Sequence, residues 1–210
     1  MERMSTESAA SSDRPVEVIV LNGASSSGKT TLAVALQDIL EGSWLIFGID
    51  TLISALPLKL LNMHEDASIG ARPREHEVTE GGIAFGADGE ITVGPEFERL
   101  EAAWLNGLAC IAATGTRLIL DEVFLSGALS QGRLRRSLAG RNVAWIGVTC
   151  DADVAIQRER VRGDRVVGGF ERQFTRVHEG VHYDLVVDTT SRPANEIAQQ
   201  IAAHVLNSSS

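Results

Sequence analysis

Five short apolar runs mark out the chain: VEVIVLNG at 16–23, WLIFGID at 44–50, RLILDEV at 117–123, NVAWIGVTC at 142–150 and YDLVVDT at 183–189. Their β-branched, nearly continuous hydrophobicity is that of strands buried on both faces. Between them TTLAVALQDILE (30–41), PEFERLEAAWLNGLACIAATG (95–115) and DADVAIQRERVR (151–162) repeat apolar residues at helical spacing, and Gly115 fits a helix C-terminal cap. Strand alternating with helix predicts an α/β fold of three layers around a five-stranded parallel sheet. The stretch 57–95 breaks the alternation with a polar loop rich in Pro and Gly, followed by a hairpin around Ala87-Asp88-Gly89. It leaves the second strand at the carboxyl edge, where open α/β sheets bind ligands, so it reads as a substrate-side insertion.

A chain of 210 residues, 44% of them hydrophobic, suits one domain, placed at 16–206 behind a polar, Ser-rich tail at 1–15 that reads as disordered. That tail lacks the apolar core of a signal peptide, and no run reaches membrane-spanning length, so a cytoplasmic protein without a membrane partner is expected. The net charge of −9 argues against a sequence-independent grip on nucleic acid. Cys110 and Cys150 lie in apolar segments without metal-ligand spacing and read as buried, reduced thiols. Nothing in the composition fixes an oligomeric state.

The segment LNGASSSGKTTL (21–32) satisfies GxxxxGK[ST] through Gly23, Gly28, Lys29 and Thr30, with a strand before it and a helix after it. In such a loop the residues Gly23, Ala24, Ser25, Ser26, Ser27, Gly28, Lys29, Thr30 and Thr31 wrap the phosphates of a nucleotide, ATP in the first instance. Lys29 is expected at a solvent-facing position, reaching the outer phosphates, and the Thr30 hydroxyl is a candidate ligand for Mg²⁺. Asp121, ending RLILDEV, is either a second metal-side carboxylate or a strand-end acid satisfied by backbone donors. Glu122 then faces the opposite way, toward solvent, a helix or the acceptor. Asp50, ending WLIFGID, stands where an acceptor hydroxyl would sit. It is a candidate general base, or an N-cap for the helix that follows, or both.

Arg158, Arg160, Arg162 and Arg165, followed by Gly168 and Gly169, form a cationic stretch in an acidic chain. It is either a lid over about 158–176 that closes on the nucleotide and the transferring phosphoryl group, or a solvated face paired with Glu159 and Asp164. HEGVH (178–182) formally matches HExxH, but Gly180 and the strand after it argue for a polar loop rather than a zinc helix. No NKxD motif follows an apolar run, and DEVF lacks the glycine of DxxG, which disfavours a GTP switch. Two classes are left: a small-molecule O-kinase and a non-catalytic ATP-binding module.

LNGASSSGKT, WLIFGIDTLI, ALPLK, GGIAFGADGEITVGPEF, LILDEVFL, VRGDRV, VHEGVHYDLVVDTT and the terminal IAAHV together resemble the chloramphenicol phosphotransferase family, from about Val18 to Val205. That family belongs to the P-loop kinases that look like nucleoside-monophosphate kinases. The resemblance implies ATP- and Mg²⁺-dependent phosphorylation of a primary hydroxyl, that of chloramphenicol, and hence antibiotic resistance. Asp50 matches the family's base, and Arg162 and Arg165 match its lid arginines. The segment between PLK and GGIAF is longer than the family pattern and borders the acceptor side. A kinase for another hydroxyl metabolite or antibiotic is the alternative. A nucleoside-monophosphate kinase fits less well, because an acceptor phosphate would want arginines where Asp50 stands.

Overall fold

The computed structural model describes residues 14–63, 81–85, 91–162 and 175–207. Five strands, β1 (Val18–Asn22), β2 (Trp44–Gly48), β6 (Arg117–Glu122), β7 (Val143–Thr149) and β8 (Leu185–Asp188), make one sheet in the order β2-β6-β1-β7-β8. Every pairing in it is parallel. β1 is buried along its whole length because it lies in the middle of the sheet and has helices on both sides, which is why its sequence does not alternate. This is the three-layer P-loop fold that the apolar runs predict.

The two faces are distinct. Helix α1 (Lys29–Ile39) and the C-terminal helix α6 (Ala194–Asn207) cover one, with Leu32 and Leu36 of α1 and Ile197 and Ile201 of α6 packed on Ile19, Leu21 and Ile119. Helices α3 (Pro95–Ala113) and α4 (Ala128–Ser137) cover the other, where Leu105, Leu108 and Leu134 meet Val18, Val20, Leu118 and Leu120. Alternation along β6 therefore sends Leu118, Leu120 and Glu122 toward α3, and Ile119 and Asp121 toward α1. A one-residue slip of β6 would exchange these sets, placing Asp121 beneath α3, and would take Ile and Leu side chains worth about 1.5–3 kcal/mol each out of their layers.

The described residues after β2 carry more regular structure than a polar loop. Helix α2 (Ile49–Ala55) and a short 3₁₀ turn lead into β3 (Leu61–Met63), which pairs in parallel with β4 (Ile83–Phe85). β4 in turn pairs antiparallel with β5 (Ile91–Val93), in the register Ile83↔Val93 expected of a hairpin. The turn at 86–90 and residues 64–80 of the insertion lie outside the described residues. Leu52, Leu56, Ile83 and Phe97 knit α2, this small sheet and the start of α3 into one apolar cluster. Helix α5 (Ala152–Arg162) follows β7. Gly115, just past α3, has φ of +87°. Cys150 is buried, but Cys110 is exposed, because the buried side of α3 runs through Phe97, Leu105, Leu108 and Ala112. No helix among the described residues is long and apolar enough to cross a membrane.

Candidate active site

β1 ends at Asn22, and the loop that follows turns tightly into α1. Gly28 stands at φ +89° and Ser26 at +58°, both left-handed. Gly23 is required for closeness rather than for dihedral freedom: a Cβ there would lie 2.3 Å from the Val148 carbonyl oxygen of β7. The cap residue of α1 is Gly28, with no side-chain cap bond, so the helix keeps first-turn N–H groups available to an anion. The Ser26 and Ser27 hydroxyls are buried without hydrogen-bond partners among the described residues. These orphaned donors suit phosphate oxygens.

Lys29 is not solvent-facing. Its side chain is 6% exposed, and Nζ donates to the Ala24 carbonyl at 2.9 Å while standing 3.9 Å from an Asp121 carboxylate oxygen. The Thr30 hydroxyl donates to the other Asp121 oxygen at 2.6 Å. Parallel pairing fixes this meeting, since Asp121 lies beside Leu21 of β1 and Gly48 of β2. A hydroxyl and a carboxylate oxygen in contact at the mouth of a phosphate loop are hard donors, and they fit Mg²⁺.

Asp50 lines the same cleft as Ser26, Lys29, Thr30 and Asp121. β2 ends at Gly48, which is the cap of α2, so Asp50 falls in the first helical turn, one position past the start, and its side chain is exposed. The capping role weighed for it therefore belongs to position 48.

Glu122 points into the protein toward α3, 6% exposed. Burial, reinforced by the negative charges of Asp121 and Glu101, pushes its carboxyl up to about 8 from 4.5. The unfolded chain gives up this proton near pH 4.5 and the folded chain keeps it until about 8. Unfolding thus releases a proton in that window, and stability falls as pH rises through it and levels off above. Thermal melts of nucleotide-free protein at about pH 5 and 8 should show a larger loss of Tm for the natural chain than for Glu122→Gln, which cannot titrate. Equal losses would place the pH dependence elsewhere.

A hub that sequence reading missed ties the loop to the far end of the chain. Asn22 Nδ2 donates to the Val177 carbonyl at 2.8 Å and to the Tyr183 hydroxyl at 2.6 Å, and its Oδ1 accepts the Phe124 N–H at 2.8 Å. Tyr183 OH also meets His178 Nδ1 at 2.7 Å. Burial pushes the Tyr183 phenol up to about 12, and burial with the Lys29 charge holds His178 below its ordinary range. HEGVH is accordingly no zinc helix: residues 177–180 form turns with Gly180 at φ +64°, and the His182 peptide N–H donates to Gln131 Oε1 at 3.0 Å. The local signal was present in HEGVHYD; its partner Asn22 is 161 residues away from Tyr183.

Arg158, half-buried on α5, donates to the Thr189 carbonyl at 2.7 Å, while the Thr189 hydroxyl donates to the Ser27 carbonyl at 2.6 Å. Arg158 is thereby brought to the phosphate loop, 3.6 Å from where a Cβ of residue 28 would be. Arg160 is exposed, whereas Glu159, which the alternative to the lid would put on a solvated face, is 2% exposed. Arg162 ends α5, and Arg165 with most of the expected lid lies outside the described residues.

Sheet order, phosphate loop and the acidic residues at the strand ends define a P-loop phosphotransferase. More narrowly, the chain belongs to the chloramphenicol phosphotransferase-like family, whose sequence model matches residues 16–206. It is 31% identical over 189 residues, 88% of this chain and 80% of the other, to a Mycobacterium tuberculosis protein bearing the provisional name O-phosphotransferase. Among solved structures it is similar to a sugar kinase from Janibacter (TM-score 0.61, 18% identity, 93% of this chain and 97% of that one). It is also similar to the Mycobacterium tuberculosis APS kinase in complex with AMPPNP and APS (TM-score 0.55, 14% identity, 91% and 98%).

Proposed function

We propose that the protein transfers the γ-phosphoryl group of ATP to a hydroxyl of a small molecule, with the primary hydroxyl of chloramphenicol as the leading acceptor. The carrying observation is the shared cleft, in which a carboxylate outside the phosphate loop, Asp50, accompanies Lys29, Thr30 and Asp121. The acceptor O–H bonds to Asp50. As the new O–P bond forms and the bond to the β,γ-bridging oxygen breaks, Asp50 takes the proton and ADP leaves. Lys29 and the loop amides neutralise charge on the phosphates, and Arg158, Arg162 and Arg165 act from the lid side. Thr30 and Asp121 would hold Mg²⁺, which supplies charge neutralisation at the β- and γ-phosphates. The family membership supports the choice of chloramphenicol, and the insertion at 62–80 is assigned to acceptor choice.

Incubation with Mg²⁺-ATP and chloramphenicol should yield a product heavier by one phosphoryl group. Transfer to other hydroxyl compounds but not to chloramphenicol would overturn the acceptor, and ATP binding without any transfer would overturn the kinase. Thr30→Ala should raise the Mg²⁺ concentration needed for half-maximal rate, with excess Mg²⁺ restoring part of the activity. An unchanged Mg²⁺ dependence would remove Thr30 from the metal site.

A further inference from the structure

On the α3 face of the sheet, two buried atoms of opposite hydrogen-bonding sense have no partner among the described residues: the indole N–H of Trp104 and Oε1 of Glu122. Glu122 continues the row of Leu118 and Leu120 at the carboxyl end of β6. Trp104 stands edge-on to Phe47 of β2, with ring centroids 5.9 Å apart, and joins the apolar cluster of the sheet face to that of α2 and the small sheet. One turn earlier on α3, Glu101 pairs with Arg133 of α4 at 3.1 Å, and Arg133 also donates to Ser130. The wall is thus apolar and aromatic, with one cation already engaged. Glu122 directly follows Asp121, which lines the cleft together with Asp50, so wall and cleft adjoin at the end of β6.

Natural interiors rarely keep orphaned donors and acceptors, and a ligand group that answers both explains their retention. We propose that this wall is the recognition subsite for the acceptor: a second hydroxyl, distinct from the one phosphorylated, accepts from Trp104 Nε1–H and donates to Glu122 Oε1. The half-buried rings of Phe47 and Trp104 take the molecule's apolar part. On this wall Arg133 is already paired with Glu101, and Lys29 of the cleft stands beside Asp121, which selects a neutral acceptor over a carboxylate or phosphate ester. The inference rests on the kinase reading only for placing the reacting hydroxyl at Asp50.

The chain has three tryptophans, so ¹⁵N–¹H spectra contain few indole signals, and Trp104→Phe identifies that of Trp104. With the full chain and Mg²⁺-AMPPNP, chloramphenicol, a neutral aryl diol, should shift this signal. Its 1-deoxy analogue, lacking the second hydroxyl, should bind about 10-fold or more weakly, and anionic shikimate should leave the signal in place. Glu122→Leu should weaken chloramphenicol about 10-fold or more with AMPPNP affinity within about twofold, and Glu122→Gln, which keeps an acceptor oxygen, should recover part of the loss. A Trp104 signal indifferent to chloramphenicol, as a permanently buried water would give, overturns the subsite, as does equal binding of the deoxy analogue. Phosphoryl transfer with an unmoved signal overturns the subsite alone. A shifted signal without transfer keeps it and overturns the kinase reading.

Discussion

Lys29→Ala is expected to lower phosphoryl transfer by about 10²–10³ or more, the loss that follows removal of a preorganised charge from a developing anion. The folded protein should survive the change. Lys29 belongs to none of the apolar clusters, and its head group bonds to Ala24 of the loop itself and stands near Asp121. The melting temperature should move by no more than a few degrees, about the shift for 1 kcal/mol in a domain of this size. Rates with saturating ATP and acceptor, beside a thermal melt, check both halves. Near-normal transfer by a folded Lys29→Ala protein would remove the phosphate loop from the mechanism.

Asp50→Asn should reduce kcat by about 10²–10⁴, the usual contribution of a general base, because asparagine keeps the shape but takes no proton at neutral pH. The structure sharpens this test. Gly48 rather than Asp50 caps α2, so the substitution leaves the cap residue in place. What the helix loses is one negative charge in its first turn, about 0.3–1 kcal/mol at an exposed position. ATP affinity and melting temperature should therefore stay close to those of the natural chain while turnover collapses. A fully active Asp50→Asn enzyme would place the proton elsewhere.

How much was readable in advance depended on the range of the interaction. The five strands announce themselves because a parallel strand covered on both faces must be apolar along its length, as in VIVLN of β1. Alternation along RLILDE sufficed to separate Asp121 from Glu122 by face, though not to show that Glu122 is buried. The hairpin of β4 and β5 followed from Gly and Asp in its turn, but β3 did not, since three residues carry no periodicity. Helix α4 has a weak pattern, with Leu134 as its buried leucine and Gly132 inside it. Helix α6, with Ile197, Ala198, Ile201 and Val205 on one face, carries a clear one that the strand-centred reading passed over. The phosphate loop was legible because its chemistry is local. The meetings of Asn22 with Tyr183 and of Thr189 with Ser27 were not, because fold geometry alone brings such distant residues together.

The same distances bear on the order in which a newly made chain becomes competent. The phosphate loop is written in the first thirty residues or so, yet Asn22 waits for Val177 and Tyr183, and the Ser27 carbonyl waits for Thr189, 155 to 162 positions later. Strand β1 likewise needs β6 and β7 as neighbours before its edges are paired. On the ribosome, synthesis at about 5–20 residues per second leaves the loop sequence exposed for roughly ten seconds or more before its last supports emerge. The framework around the phosphate loop is therefore completed late in the protein's life history, once the C-terminal quarter has been translated. A truncated product that keeps the motif intact would carry the sequence of a phosphate loop without the distant contacts that brace it.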